Sequence, residues 1–163
     1  MKTLIINGGT IEDAFALSYI ERVKPDCILA ADRGMEFCYR NQIKPDVILG
    51  DYDSADKTIL EAFRRQSGIE WHQYQPEKDY TDSEIAIGKA MERNSSEIHI
   101  LGGTGTRLDH VLGNIQLLMQ PLAKDIPCFL IDFHNRIRLL KARTILSKSQ
   151  QFGTYVSLLP LTT

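Results

Sequence analysis

The chain has 163 residues, 43% of them hydrophobic and 25% charged, enough to bury a single core without disulfides or a structural metal. A formal net charge of -2 and a pI near 6.1, with Lys and Arg scattered along the chain, exclude a general attraction to nucleic acid. No stretch approaches the ~20 apolar residues of a membrane span, and the opening MKTLIINGG carries too short an apolar run for a secretory signal. Cys27, Cys38 and Cys128 show no paired metal spacing and read as reduced core thiols of a cytoplasmic protein.

Short β-rich runs alternate with segments of helical spacing. Thr3–Ile6 opens into Asn7-Gly8-Gly9-Thr10 and a helix over 11–23; Cys27–Ala31 opens into Asp32-Arg33-Gly34 and a helix over 34–42. Val47–Leu49 leads to Gly50-Asp51-Tyr52-Asp53-Ser54 and a helix over 56–66. Glu70–Tyr74 precedes a loop holding Lys78-Asp79-Tyr80-Thr81-Asp82-Ser83-Glu84, with a helix over 82–93. Ile98–Leu101 runs into Gly102-Gly103-Thr104-Gly105-Thr106-Arg107 and then Leu108-Asp109-His110. In the helix over 108–123, Leu108, Val111, Leu112, Ile115, Leu118 and Leu122 recur at i, i+3, i+4 and i+7 spacing. Cys128–Ile131 is the sixth strand, and Pro25, Pro45 and Pro127 each stand just before a strand, where proline halts the preceding helix. Strands alternating with crossover helices predict an α/β fold: a mostly parallel sheet with helices on both faces, three layers in all.

The pattern changes after Asp132. Arg136–Leu140, Thr144–Leu146 and Tyr155–Leu159 look like short strands with no helix between them, separated by turn chemistry at Lys148–Gln151 and Gly153. The expectation is an α/β domain over 1–132 and the start of an all-β C-terminal domain over 133–163. That tail is too short for an independent sandwich, so the chain is expected to stop inside its second domain.

In open parallel sheets ligands bind beyond the carboxyl ends of the strands, and every unusual loop here falls at that edge. Asp51 and Asp53 flank Tyr52; extended backbone through Asp53 would point both carboxylates one way, and two such charges at close range call for a cation. Hard oxygen ligands suit Mg²⁺, which takes one or two carboxylates plus phosphates and water. The plainer reading is a turn in which Asp53 or Ser54 caps the helix starting near 56. Asp32 shares the edge. Thr81 and Glu84 have capping-box spacing, which leaves Lys78 for a phosphate, Asp79 unexplained and Asp82 for the metal held by Asp51 and Asp53. Glycines at Gly102, Gly103 and Gly105 around Thr104 let backbone N–H groups approach an anion at a helix start, and Arg107 matches phosphate oxygens. Asp109 beside such a loop suggests a cationic partner or a bridged metal. His110 and Asn114, four residues apart on a helix, read as capping or packing residues. Trp71, His72 and Tyr74 read as packing, and no Ser–His–Asp order or nucleophile elbow is present.

Together the motifs G-D-Y-D-S (50–54), K-D-Y-T-D-S-E (78–84) and G-G-T-G-T-R-L-D-H-x-L-G-N (102–114) resemble, in this order, those of thiamine pyrophosphokinases. Asp32-Arg33-Gly34 is similar to that family's earlier glycine turn, and Tyr155–Pro160 to a strand of its C-terminal β-domain. The resemblance implies transfer of pyrophosphate from Mg-ATP to the hydroxyl of thiamine, giving thiamine diphosphate and AMP. It implies Mg²⁺ and a homodimer whose sites lie between the α/β domain of one subunit and the β-domain of another. Carried over by position, Asp32, Asp51, Asp53 and Asp82 serve the metal–triphosphate group, Lys78, Thr81, Gly103, Gly105 and Arg107 contact nucleotide, and Asp109 lies toward thiamine. Thr106 departs from the family's usual glycine before the arginine. The competing readings are another ATP-dependent phosphotransferase and a non-catalytic module that binds nucleotide or thiamine phosphate. A phospho-accepting receiver domain is disfavoured, because its acidic pair after the first strand is here Asn7-Gly8-Gly9.

Overall fold

Alternate residues of β1 (Lys2–Ile6) go to opposite faces of one sheet: Leu4 and Ile6 join one apolar cluster and Ile5 the other. The same division repeats in β2 (Cys27–Ala31), β3 (Val47–Gly50), β5 (Glu97–Leu101) and β6 (Cys128–Ile131), as expected for strands buried on both faces. The structure, a computed structural model, describes residues 1–53, 55–75 and 80–161. Its sheet has the order β4-β3-β2-β1-β5-β6-β7, where β4 is Glu70–Gln73 and β7 is Arg136–Ile137. All neighbours are parallel except β6 and β7.

Residues of α1 (Asp13–Val23), α2 (Gly34–Arg40) and α3 (Lys57–Arg64) enter the cluster with Leu4 and Ile6. Residues of α4 (Asp82–Glu92) and α5 (Leu108–Leu117) enter the cluster with Ile5, as does Leu118 just before α6 (Met119–Ala123). The expected three-layer α/β/α arrangement follows. The chain steps from β1 outward to β4 and then returns to the other side of β1 with β5. The connections after β1 and β5 therefore leave toward opposite faces of the sheet, α1 on one and α5 on the other, and a crevice opens at that point.

Local chemistry fixes the elements. Glu12 caps α1 by accepting from the amides of Ala14 and Phe15, and Asp56 caps α3 by accepting from those of Thr58 and Ile59. The α3 cap is thus Asp56 rather than Asp53, and Ser54 lies outside the described residues. Thr81 caps α4 by accepting from the Glu84 amide at 3.2 Å, but the reciprocal half of the expected capping box is not made: the Glu84 carboxylate accepts instead from Gln120 Nε2 on α6 at 2.8 Å, joining two helices of one layer. The long apolar stripe of 108–123 is only half used, since Leu108 and Leu112 are exposed while Leu118 is buried.

At the β4 edge, Glu70 gathers His72, Lys89 and Arg93, the last pair at 2.6 Å. Bonding to His72 and Arg93 pulls its carboxyl down to about 2, and the group ties α4 to the edge strand. Trp71 packs edge-on against Tyr52 and under Arg64, a packing role as expected from the sequence. Past Asp132 the chain turns back and β7 adds to the same sheet, with Ile131 opposite Arg136. Two expectations for the tail are corrected: Thr144–Leu146 and Tyr155–Leu159 form no strands, although Lys148–Gln150 does make a short 3₁₀ turn. A strand persists only where a neighbour takes its backbone groups, and these segments have none. Phe152 returns to the core, meeting Phe15 edge-on.

All three cysteines are buried and free. A buried polar chain crosses the β5 region: the Tyr19 hydroxyl donates to His99 Nδ1 at 2.7 Å, and His99 Nε2–H donates to Glu97 at 2.7 Å. Burial depresses the His99 pKa below its ordinary value, against the opposing pull of Glu97. The unfolded chain, whose imidazole titrates near 6.5, takes up the proton first. The contribution is thus fully present above pH 6.5 and is lost as pH falls from there through the lower folded value. Urea midpoints at pH 7.5 and 5.5 are expected to fall further in the wild type than in His99→Gln, by about 1.4 kcal/mol for each unit of depression. Equal falls would remove His99 from the acid response.

Candidate active site

Four turns converge on the crevice at the carboxyl ends of the strands. A cleft of about 1040 Å³ is lined by Asn7–Thr10 after β1, Ala31–Arg33 after β2, Thr81–Glu84 at the start of α4, Gly102–Arg107 after β5, and one face of α5 with Gln120 of α6. The sequence-predicted residues Asp32, Thr81, Asp82, Gly102, Gly103, Thr104, Gly105, Arg107, Asp109 and His110 therefore share one cavity. Lys78, Asp79 and Ser54 lie outside the described residues.

The glycine turn is built by close backbone approach. Gly102 has φ +69°, and a Cβ there would stand 2.4 Å from the Asn7 carbonyl oxygen; only glycine meets both demands. Gly102 in turn accepts from the Gly9 amide at 3.0 Å, binding the β1 and β5 turns together. Asn114 on α5 donates from Nδ2 to the Gly103 carbonyl at 2.7 Å, which makes it a brace for the turn. The capping-or-packing reading of Asn114 missed this role, although its position one turn after His110 placed it on the correct face. The first amides of α5 receive no side-chain cap, so they remain available to an anion at that helix start.

Thr104 is held from the other side by Asp132, at the tip of β6. Burial raises the Asp132 pKa, but bonds from Asn135, the His134 amide and the Thr104 hydroxyl outweigh it and hold the carboxyl low. The sequence marked Asp132 only as a domain boundary. Arg107 and Asp109 form an exposed ion pair, Nη2 to Oδ2 at 2.6 Å; the guanidinium holds the Asp109 carboxyl below its usual range. The cationic partner expected for Asp109 is thus Arg107 itself. His110 is also exposed, 3.9 Å from Asp109.

The acidic turn lies one strand farther out. Asp32 has φ +49°, and its amide donates to the Leu49 carbonyl at 2.8 Å, which sets the turn after β2 against the end of β3. Strand β3 ends at Gly50, and Tyr52 takes φ +63°. Extended backbone does not reach Asp53, and alternation cannot align the two carboxylates. The chain coils instead, with Asp51 Oδ1 accepting from the Asp53 amide at 3.0 Å. The Tyr52 ring is buried below, its hydroxyl lying 3.0 Å from the carbonyls of both Ile48 and His72. Asp51 is half-buried and Asp53 exposed, outside the lining of the cleft that holds Asp32 and Asp82.

Among the described residues, no three acidic, imidazole or thiol groups are grouped tightly enough to hold a metal ion. The donor set still fits a hard divalent cation of the Mg²⁺ kind, which needs only one or two carboxylates and draws the rest of its shell from phosphates and water. The carboxylates of Asp32 and Asp82 share the cleft with uncapped amides and an arginine, a set that can bind a polyphosphate together with its cation, while Asp51 and Asp53 stand outside its lining.

Comparison with known proteins identifies the family. The family model described as "Thiamin pyrophosphokinase, catalytic domain" matches residues 22–130. A thiamine pyrophosphokinase of Bacillus subtilis (strain 168) is 35% identical over 135 residues, covering 81% of this chain and 61% of the relative. The crystal structure of a Bacillus subtilis thiamine pyrophosphokinase superposes with a TM-score of 0.72 at 29% identity, over 85% of this chain and 63% of that one. A thiamin pyrophosphokinase of Geobacillus thermodenitrificans gives 0.67 at 27% identity, over 83% and 61%. The chain spans about three-fifths of the length of these relatives. With the family model matched over most of its length, the chain belongs to the thiamin pyrophosphokinase catalytic-domain family.

Proposed function

We propose that this chain carries the nucleotide- and metal-binding part of an enzyme that transfers pyrophosphate from Mg-ATP to the hydroxyl of thiamine. The observation that supports this most directly is the single cleft joining a braced glycine turn, an uncapped α5 start and the carboxylates of Asp32 and Asp82, in a chain of this family. The thiamine oxygen attacks the β-phosphorus, the bond from that phosphorus to the α,β-bridging oxygen breaks, and AMP leaves with the bridging oxygen. The hydroxyl proton goes to a carboxylate at the strand ends or to water. Such chemistry asks the protein for position and charge neutralisation rather than covalent catalysis.

In this reading Asp51, Asp53 and Asp82 hold Mg²⁺, which neutralises the triphosphate. Asp32, Thr81 and the amides of Gly102–Gly105 seat the nucleotide. Arg107 leaves Asp109 for the transferred phosphates, and Asp109 and His110 then face thiamine. Lys78, Asp79 and Ser54 complete the phosphate side. A homodimer belongs to the same reading, supported by the apolar residues left exposed on α5 (Leu108, Leu112) and in the tail (Ile145, Tyr155, Leu158, Leu159). So does a cytoplasmic setting, supported by three reduced, buried thiols. No helix among the described residues is long and apolar enough to cross a membrane.

The test compares the 163-residue chain with the same chain fused to the part of the Bacillus subtilis relative that it does not cover. The short chain is expected to bind Mg-ATP and release little AMP, and the fusion to release AMP only when thiamine is present. ADP as the product would select a different phosphotransferase, and binding by both proteins without turnover would select a binding module.

A further inference from the structure

Asn7 is the first residue beyond β1, at the point where the sheet divides, and its side chain is 5% exposed. Its backbone is pinned on the β5 side, the amide donating to the Leu101 carbonyl at 2.9 Å. Its side-chain Nδ2 donates to Ser83 Oγ on α4 at 2.8 Å. That bond fixes the amide by its nitrogen end. Among the described residues, Asn7 Oδ1 is the one fully buried side-chain oxygen or nitrogen without a hydrogen-bond partner. An unmet buried acceptor of this kind destabilises a fold, and here it belongs to a residue lining the cleft.

We propose that Asn7 contacts the ligand: its side-chain carbonyl accepts an O–H donor that arrives with the bound nucleotide. This rests on the reading of the cleft as a nucleoside triphosphate site. An amide oxygen can only accept, and the phosphate oxygens of ATP at neutral pH carry no proton to give. The carbonyl therefore cannot face the triphosphate directly. The O–H donors that come with Mg-ATP are the ribose hydroxyls and the water bound to the cation. Either one satisfies Oδ1, and each adds discrimination that a glycine turn made of donors cannot supply. Because the other end of the amide is tied to Ser83, next to Asp82, a donor at Asn7 also steadies the start of α4.

Calorimetry with Mg-ATP and its 2′-deoxy and 3′-deoxy analogues, on wild type, Asn7→Ala and Ser83→Ala, tests the proposal. Asn7→Ala is expected to bind Mg-ATP about tenfold more weakly, the equivalent of one good hydrogen bond. The unfolding midpoint of its empty form should be unchanged or higher, since the unmet acceptor is gone. Ser83→Ala, which keeps the carbonyl, should lose no more than about threefold. If the donor is a ribose hydroxyl, the wild type discriminates against one deoxy analogue and Asn7→Ala does not. If it is cation-bound water, deoxy discrimination is the same in both and Asn7→Ala needs more Mg²⁺ for half-maximal binding. Wild-type affinity in Asn7→Ala overturns the contact, and a full tenfold loss in Ser83→Ala would show that Asn7 acts only through α4. A wild type that binds no nucleotide removes the reading of the cleft, and the contact with it.

Discussion

Gly34→Ala is expected to be the most damaging single-methyl change in this protein. Gly34 begins α2 directly under the end of β1, and a Cβ there would lie 1.8 Å from the Ile6 carbonyl oxygen. That oxygen belongs to a central strand buried on both sides, and no rotamer change can move it aside. Either β1 or the start of α2 must shift, and overpacking of this kind costs about 3 kcal/mol or more. The variant should show a correspondingly lower urea midpoint and lose nucleotide binding with it, because Arg33 and Asp32 ride on the same turn. Gly88→Ala, where an added methyl meets nothing within 4 Å, is the control and should be neutral or slightly stabilising. A Gly34→Ala protein as stable as wild type would mean that α2 is seated differently.

Asp51→Asn and Asp53→Asn are expected to have the largest effects on activity, each lowering thiamine-dependent AMP release by the fusion protein roughly 100-fold. The substitutions separate charge from shape. Asparagine at 51 keeps the oxygen that accepts the Asp53 amide, and Asp53 is exposed, so both variants should unfold within about 0.5 kcal/mol of the wild type. Titration with Mg²⁺ should show a higher cation requirement for ATP binding in each. Near-normal turnover at limiting Mg²⁺ in either variant removes that carboxylate from the metal.

Five of the six parallel strands were legible because burial forces apolar runs, with proline and glycine marking where they begin and end; the edge strand β4, Glu-Trp-His-Gln, is neither buried nor apolar. The clustering of the unusual loops at one edge followed from the same regularity. What the sequence hid was set by contacts distant along the chain. Asn7 reads as an ordinary turn residue until Ser83, 76 positions later, is seen to take one end of its amide. Tyr52 looks like an extended residue between two aspartates, yet its hydroxyl is drawn to two carbonyls beneath the sheet edge, and that anchoring imposes the left-handed turn. The strand pattern of the tail was real as composition, but a β pattern becomes a strand only when a neighbour supplies partners. Among the tail segments read as strands, Arg136–Ile137 alone finds one.

The two margins of the sheet differ in a way that governs growth. At β4 the acidic side chain of Glu70 is locked to Lys89 and Arg93, and an incoming strand would have to displace or bury that knot of charge, which discourages addition there. At the other margin β7 covers only Leu130 and Ile131, and among the described residues the first half of β6 has no strand on its outer side. Further β-structure therefore has one direction in which to accrete, away from the acidic turn and outward from β6. The molecule has a closed side and an open side, and the chain leaves the sheet from the open one.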